Sequence, residues 1–190
     1  MPTVLSHPAV PIAVGLGLGR ARIPTRLLLV GVAVSMLPDL DTFASRVGIP
    51  YEITLGHRGA THSLAFACGV ALLGACACRA LRTGYGRAFW FLLLAAASHG
   101  VLDAFTNGGT GIAFLWPWSA ARFFAPLRPI EVAPLRLSAL LSPRGATVLL
   151  SELLWVWLPC GLAGLGLAGV RWGLAAGTPA ASTRRNVRAE

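Results

Sequence analysis

From Val148 to Gly169 the sequence runs 22 residues with one charged side chain, Glu152. About 20 apolar residues in one piece suffice to cross the hydrocarbon core of a bilayer. Four shorter apolar stretches precede it: Pro8–Gly19, Leu27–Leu37, Ser63–Cys78 and Ala88–Leu102. The first two are 12 and 11 residues long, and segments of that length are tolerated at membrane depth only where protein covers them. The third and fourth are slightly short for a span. Gly15, Gly17 and Gly19 allow close approach of a neighbouring helix. Composition agrees, with 55% hydrophobic and 12% charged residues, the latter about half the share of a soluble domain. The expectation is an all-α, integral membrane helical bundle of about four to five apolar segments, some short or re-entrant. It occupies residues 1–176, and a basic, unstructured tail is expected over 177–190. The start, MPTVLSHPAV, lacks the basic region of a cleavable signal peptide. No internal repeat is evident.

Composition also excludes classes. The apolar content rules out intrinsic disorder. The four cysteines, Cys68, Cys76, Cys78 and Cys160, lie inside apolar runs and form no CxxC pair, so a disulfide scaffold is ruled out and packing roles are expected. A net charge of +9 and a pI of about 11.2 would suggest nucleic acid in a soluble protein. Here all sixteen basic residues are Arg, spread through the links between apolar runs. If every segment crosses, Arg20, Arg22, Arg26, Arg79, Arg82, Arg87, Arg171, Arg184, Arg185 and Arg188 share one face. Arg46, Arg58, Arg122, Arg128, Arg136 and Arg144 share the other. The face with more Arg is then cytoplasmic, the protein is a multi-pass membrane protein, and direct nucleic-acid binding is not expected.

The same topology sorts the scarce ligand-type residues. His7 begins the first segment, and Asp39 and Asp41 follow the second. His57 and His62 precede the third, and His99 and Asp103 end the fourth. All four His and all three Asp of the chain therefore reach the face with fewer Arg. Each alone has an ordinary reading, an interfacial His or a capping Asp; seven at one face point to a site. Imidazole and carboxylate suit zinc, manganese or iron. His99 and Asp103 are i and i+4, on one helix face, and ionisable groups in an apolar helix are costly enough to suggest function. Pro38 disfavours helix through Leu37, so Asp39 and Asp41 are expected on a turn. His57 and His62 are i and i+5, so His57 is expected in a loop and His62 near a helix start, with Thr61 or Ser63 as the N-cap.

Three further features surround this set. Arg58 suits either an anionic substrate group or an ion pair with Asp39, Asp41 or Asp103. Glu152 opens the fifth segment and is a candidate ligand, general base or helix-start acid. The stretch Thr106–Ile130 is broken by Gly and Pro and is expected to cover the site. Its Trp116, Trp118, Phe123 and Phe124 suit a membrane interface, and its Gly108, Gly109 and Gly111 lack the rest of a phosphate loop.

The elements PDLD (Pro38–Asp41), GHRGATHS (Gly56–Ser63) and SHGVLD (Ser98–Asp103), with His7 before them and the Leu115–Pro117, Arg122–Phe123 and Pro126 pattern after them, resemble the membrane-bound metal-dependent hydrolases, also described as LexA-binding, inner-membrane-associated hydrolases. The resemblance covers about residues 1–130. Thr42 stands where many members carry His. The resemblance implies a metal-dependent hydrolase that is a multi-pass protein of the bacterial cytoplasmic (inner) membrane. The ligands would be His7, Asp39, Asp41, His57, His62, His99 and Asp103, holding one or two divalent ions, zinc first, manganese or iron next. From the residues themselves, Asp41, Arg58 and Glu152 are the catalytic candidates, and a phosphoester or lipid head group is the expected substrate because it would lie at the interface. The alternative it implies is a non-catalytic membrane protein with a structural metal that binds a LexA-like repressor. A looser similarity links it to helical zinc-dependent phospholipase C and single-strand nucleases. A transporter relay fits less well, because transport sites lie near the midplane and these residues lie at segment ends.

Overall fold

A computed structural model of the chain describes residues 1–42, 56–134 and 137–176. Arg46, Arg136 and the tail with Arg184, Arg185 and Arg188 lie outside the described residues. The described chain forms helices α1 (Ala9–Leu18), α2 (Thr25–Met36), α3 (Leu64–Cys76), α4 (Tyr85–Ala104), α5 (Pro143–Glu152) and α6 (Leu158–Ala176). Short 3-10 turns occupy Leu37–Asp41, Ala60–His62 and Leu137–Leu141, and a π turn, Leu153–Trp157, joins α5 to α6. No strand occurs among the described residues, only isolated bridges between Thr106 and Ile130 and between Ile112 and Phe123.

Local chemistry sets the boundaries that matter for the site. Ser63 is the N-cap of α3: its hydroxyl accepts the Phe66 N–H at 3.0 Å and satisfies one orphan donor of the first turn. Thr61, the other candidate cap, is used elsewhere. At the end of α2, Leu37 keeps right-handed helical angles although Pro38 follows. The chain therefore tightens into a 3-10 turn rather than leaving the helix axis, and Asp39 and Asp41 stay under the end of α2. The fourth segment is not short: α4 has 20 residues, about 30 Å at 1.5 Å per residue. The fifth extends beyond both expected ends. Pro143–Leu174 is one helical rod of 32 residues, the only described helix long and apolar enough to cross a membrane, with 6% of its apolar window buried.

Small residues line much of the contact between α3 and α4. Ala67, Ala71 and Ala75 of α3 are buried, as are Ala88, Leu92 and Ala95 of α4, which packs against it. Leu72, Leu73, Trp90, Leu94, Leu162, Leu165 and Trp172 point outward and are exposed. Small residues inside let helices approach closely where no hydrophobic drive favours large ones, and the large apolar side chains face the surroundings. α1 lies against α6 in the same manner. A Cβ on Gly17 would sit 2.8 Å from the Gly164 carbonyl oxygen and from Leu167 Cβ.

Candidate metal centre

One end of this bundle collects the polar residues. His7 precedes α1, Asp39 and Asp41 lie on the turn after α2, His57 and Arg58 approach α3 through a loop, and His62 ends the turn before it. His99 and Asp103 are on the last turns of α4. The side chains of the four His and three Asp are all at most 6% exposed. Seven such groups hidden from water are tolerable only if they satisfy one another or a bound ion.

Hydrogen bonds fix the imidazoles. The Nδ1–H of His99 donates to the Ser35 carbonyl at 2.7 Å, which leaves the Nε2 lone pair inward. His62 Nδ1 lies 3.2 Å from Asp41 Oδ2 and His57 Nδ1 lies 2.5 Å from Asp41 Oδ1, while the Thr61 hydroxyl also donates to Asp41. A carboxylate holding the outer nitrogen of a histidine is the usual support of a metal ligand. Asp41, expected as a ligand or bridge, thus occupies a positioning place, with both oxygens engaged. The paired imidazoles hold its carboxyl below the usual range, outweighing the burial that would raise it.

The inward atoms converge. His62 Nε2 lies 3.0 Å from His99 Nε2, and two facing lone pairs at that distance need a cation or a proton between them. Without a cation a proton serves. Burial alone would lower the His62 pKa, but Asp103 and Asp41 outweigh it and hold the value up to about 9. His99 Nε2 is 3.5 Å from Asp39 Oδ1, and His7 Nε2 is 3.6 Å from Asp39 Oδ2 and 3.8 Å from Asp103 Oδ1. The His7 and His99 rings stack at 3.6 Å. Burial, then the neighbouring His99, pushes His7 down to about 3, so it is neutral and able to donate a lone pair. A tetrahedral zinc with bonds of about 2.0–2.1 Å sets its ligands roughly 3.3 Å apart, close to these spacings.

A metal fits on a second ground. Both ring nitrogens of His7 and both oxygens of Asp39 and of Asp103 are buried without a hydrogen-bond partner, whereas nearly all buried polar atoms in folded proteins have one. Among the described residues two groups place ligand atoms within 4.8 Å of one another: His7, His99 and Asp103, and Asp39, His57 and His62. They adjoin through the His62–His99 and His99–Asp39 contacts, an arrangement compatible with one ion or two.

Arg58 resolves into a clamp. It is fully buried in the left-handed region, at φ 66°. Its Nε faces Asp103 Oδ2 at 3.2 Å, Nη1 donates to the Gly108 carbonyl at 2.6 Å and Nη2 donates to Thr106 Oγ1 at 2.8 Å. The structure shows the ion pair, with Asp103 as its partner. Gly109, at φ 91°, lies flat against the guanidinium, and a Cβ there would be 2.4 Å from Nη1. That is a concrete role for the glycine cluster, which the sequence had shown only as something other than a phosphate loop. The covering stretch is held by Ala113 N–H to the Arg58 carbonyl, Leu64 N–H to the Phe114 carbonyl, and Arg122 Nη1 to the His57 carbonyl.

Glu152 lies apart from both ligand groups. It ends α5 and does not start a helix, so the helix-start reading is corrected. Its carboxylate accepts the Thr3 amide, the Thr3 hydroxyl at 2.6 Å and the Ser6 hydroxyl at 2.6 Å. It ties down the segment that delivers His7. Thr3 and Ser6 gave no signal in the sequence, since short hydroxyl residues near a terminus are common.

Residues 1–175 match the family described as YdjM inner membrane protein. The chain belongs to that family. It is also 49% identical over 173 residues to "Inner membrane protein YbcI" of Escherichia coli (strain K12), covering 90% of this chain and 98% of that protein. No solved structure matches it. The bacterial inner membrane is therefore its location, and the exposed leucines of α6 have bilayer to face.

Proposed function

We propose that the protein is a multi-pass inner membrane bundle that acts as a metal-dependent hydrolase, its His/Asp centre lying at one membrane interface. The observation that carries this reading is a set of five buried ligand atoms without a hydrogen-bond or Arg partner: both ring nitrogens of His7, both oxygens of Asp39 and Oδ1 of Asp103. They face the inward lone pairs of His62 and His99. Three carboxylates against one tied Arg leave negative charge that a divalent ion offsets. Zinc suits the mixed imidazole and carboxylate set best, with manganese or iron next.

A divalent ion held by these residues would supply polarisation of the scissile bond and acidification of a bound water. The chain's own part is to hold the ligands. Asp41 orients His57 and His62, Ser35 orients His99, and Arg58 fixes Asp103. A substrate that meets a site at the bilayer interface is a phosphoester or a lipid head group. Metal analysis of protein purified without chelator should find one or two transition-metal ions per chain, and none would end this reading. His62→Ala and Asp103→Ala should each lose metal; unchanged content in both would remove these residues as ligands. A screen of phosphoesters and lipids then tests hydrolysis.

One observation favours a second reading. The ligand side chains are closed off from solvent, and structural sites are closed where catalytic ones keep an open position. In that case the metal stabilises a membrane protein that binds a regulatory partner such as a LexA-like repressor. Such a partner is cytoplasmic, whereas the Arg count puts this end outside. Cysteine-accessibility mapping near His57 separates the two, since a cytoplasmic loop is required for the repressor contact.

A further inference from the structure

A groove of about 520 Å³ lies on the outside of the bundle, behind the last turn of α4. That volume is within the roughly 300–1,000 Å³ of small-molecule sites. Val101 of α4 and Phe105, the residue that follows its end, form one wall, Leu127, Arg128 and Ile130 of the covering stretch form the other, and Trp155 of the π turn closes an end. Among the described residues Arg128 is the only charged one lining it. Its guanidinium lies 4.7 Å from the centre of the Phe124 ring, and it makes no ion pair among the described residues.

We propose that this groove binds an anionic phospholipid of the bilayer, one acyl chain lying in it and the phosphate meeting Arg128. Three observations carry the assignment. The groove is apolar, with Val101 at 45%, Phe105 at 38% and Leu127 at 74% exposed, so in water it would be a costly surface. Trp155 belongs to the 32-residue apolar rod, so the groove is continuous with a surface that meets acyl chains. The Arg128 guanidinium, packed on the Phe124 ring, supplies positive charge for a lipid phosphate, and Arg matches phosphate through two parallel donors.

The assignment does not depend on the metal reading. The Ile130 N–H donates to the Phe105 carbonyl and the Asn107 N–H to the Ile130 carbonyl. These bonds close the wall between the groove and Thr106, so the lipid site and the ligand cluster are back to back.

The test uses full-length protein reconstituted in vesicles of equal phosphatidylglycerol and phosphatidylcholine with matched chains. Extraction into mild detergent and native mass spectrometry then count retained lipid. Wild type should keep one lipid, favouring phosphatidylglycerol roughly fivefold, the scale of one Arg near an anionic head group. Arg128→Gln should retain both lipids equally. Val101→Trp, which fills the groove from an exposed position, should retain neither, and Val170→Trp on α6 should behave as wild type. Metal content measured alongside should not change in any variant, so failure of the lipid site is distinct from failure of the metal centre. The proposal is overturned if wild type keeps no lipid, if Arg128→Gln leaves the preference intact, or if Val101→Trp retains lipid. It is also overturned if native spectra show a dimer that Val101→Trp converts to monomer, because the occupant is then a second copy of the chain.

Discussion

Replacing Arg58 by Met removes the clamp while keeping a long, unbranched side chain. Both residues carry a Cβ, so the cost of the left-handed backbone at φ 66° is common to the two chains and cancels. What is lost is the ion pair to Asp103 and the hydrogen bonds to the Gly108 carbonyl and the Thr106 hydroxyl. Hydrogen bonds to a charged group are worth about 1.5–3 kcal/mol each, but they are not additive with the ion pair they belong to. Removing one partner of a fully buried pair costs about 3–5 kcal/mol, because the other charge stays behind uncompensated. With Arg58 and Asp103 both at 0% side-chain exposure, that range applies in full to metal-free protein. Denaturant titration in detergent after chelation, followed by tryptophan fluorescence, measures it. Arg58→Lys should recover less than half, since an ammonium lacks the fork that reaches Asp103, Gly108 and Thr106 together. A loss below about 1 kcal/mol, as for an exposed Arg, would refute the clamp and restore Arg58 as a residue free to meet an external anion.

Three other outcomes are expected. Asp41→Asn removes the acceptor that orients His57 and His62, and competition with a chelator should show metal affinity reduced about 10–100-fold; an unchanged affinity contradicts the positioning role. In metal-free protein His62, raised to about 9, contributes stability that is complete below its ordinary value near 6.5 and is lost as pH rises through 9. His7, lowered to about 3, withdraws stability as pH falls below that same ordinary value. The melting temperature of the metal-free protein should therefore peak near pH 6.5, and a steady rise to pH 9 would contradict the proton held between His62 and its carboxylates. Gly17→Val drives side-chain atoms into the Gly164 backbone, 2.8 Å from the first of them, and should cost about 1–3 kcal/mol in the same titration, whereas Gly161→Val, which meets nothing within 4 Å, should be near neutral.

The helices were largely legible because each apolar run is bounded by a residue with a definite backbone effect. Ser63 caps α3, and Pro38 marks the end of α2. The ends were misjudged where Gly, Tyr or Ser extend a helix without raising hydropathy, as at Tyr85–Arg87 of α4 and Pro143–Thr147 of α5. The inward face of each helix was not legible. α1 and α3 are apolar on every side, so no stripe marks the core, and only assembly shows that Ala71 is buried and Leu73 exposed.

For the site, the sequence by itself determined where ligands could gather. Segments that alternate in direction carry His7, Asp39, Asp41, His57, His62, His99 and Asp103 to one end, whatever the detailed packing. Tertiary structure alone decided their roles, because those depend on contacts across 16 to 149 residues of chain. It made Asp41 a support for two imidazoles, left both oxygens of Asp39 open, and left Asp103 one open oxygen beside the one that Arg58 holds. It placed Arg58 inside, against Gly109, and bound Glu152 to Thr3 and Ser6. The physical reason is that residue type and spacing set which groups can reach a place. Which of their few donors and acceptors are already occupied there is set only when distant segments dock.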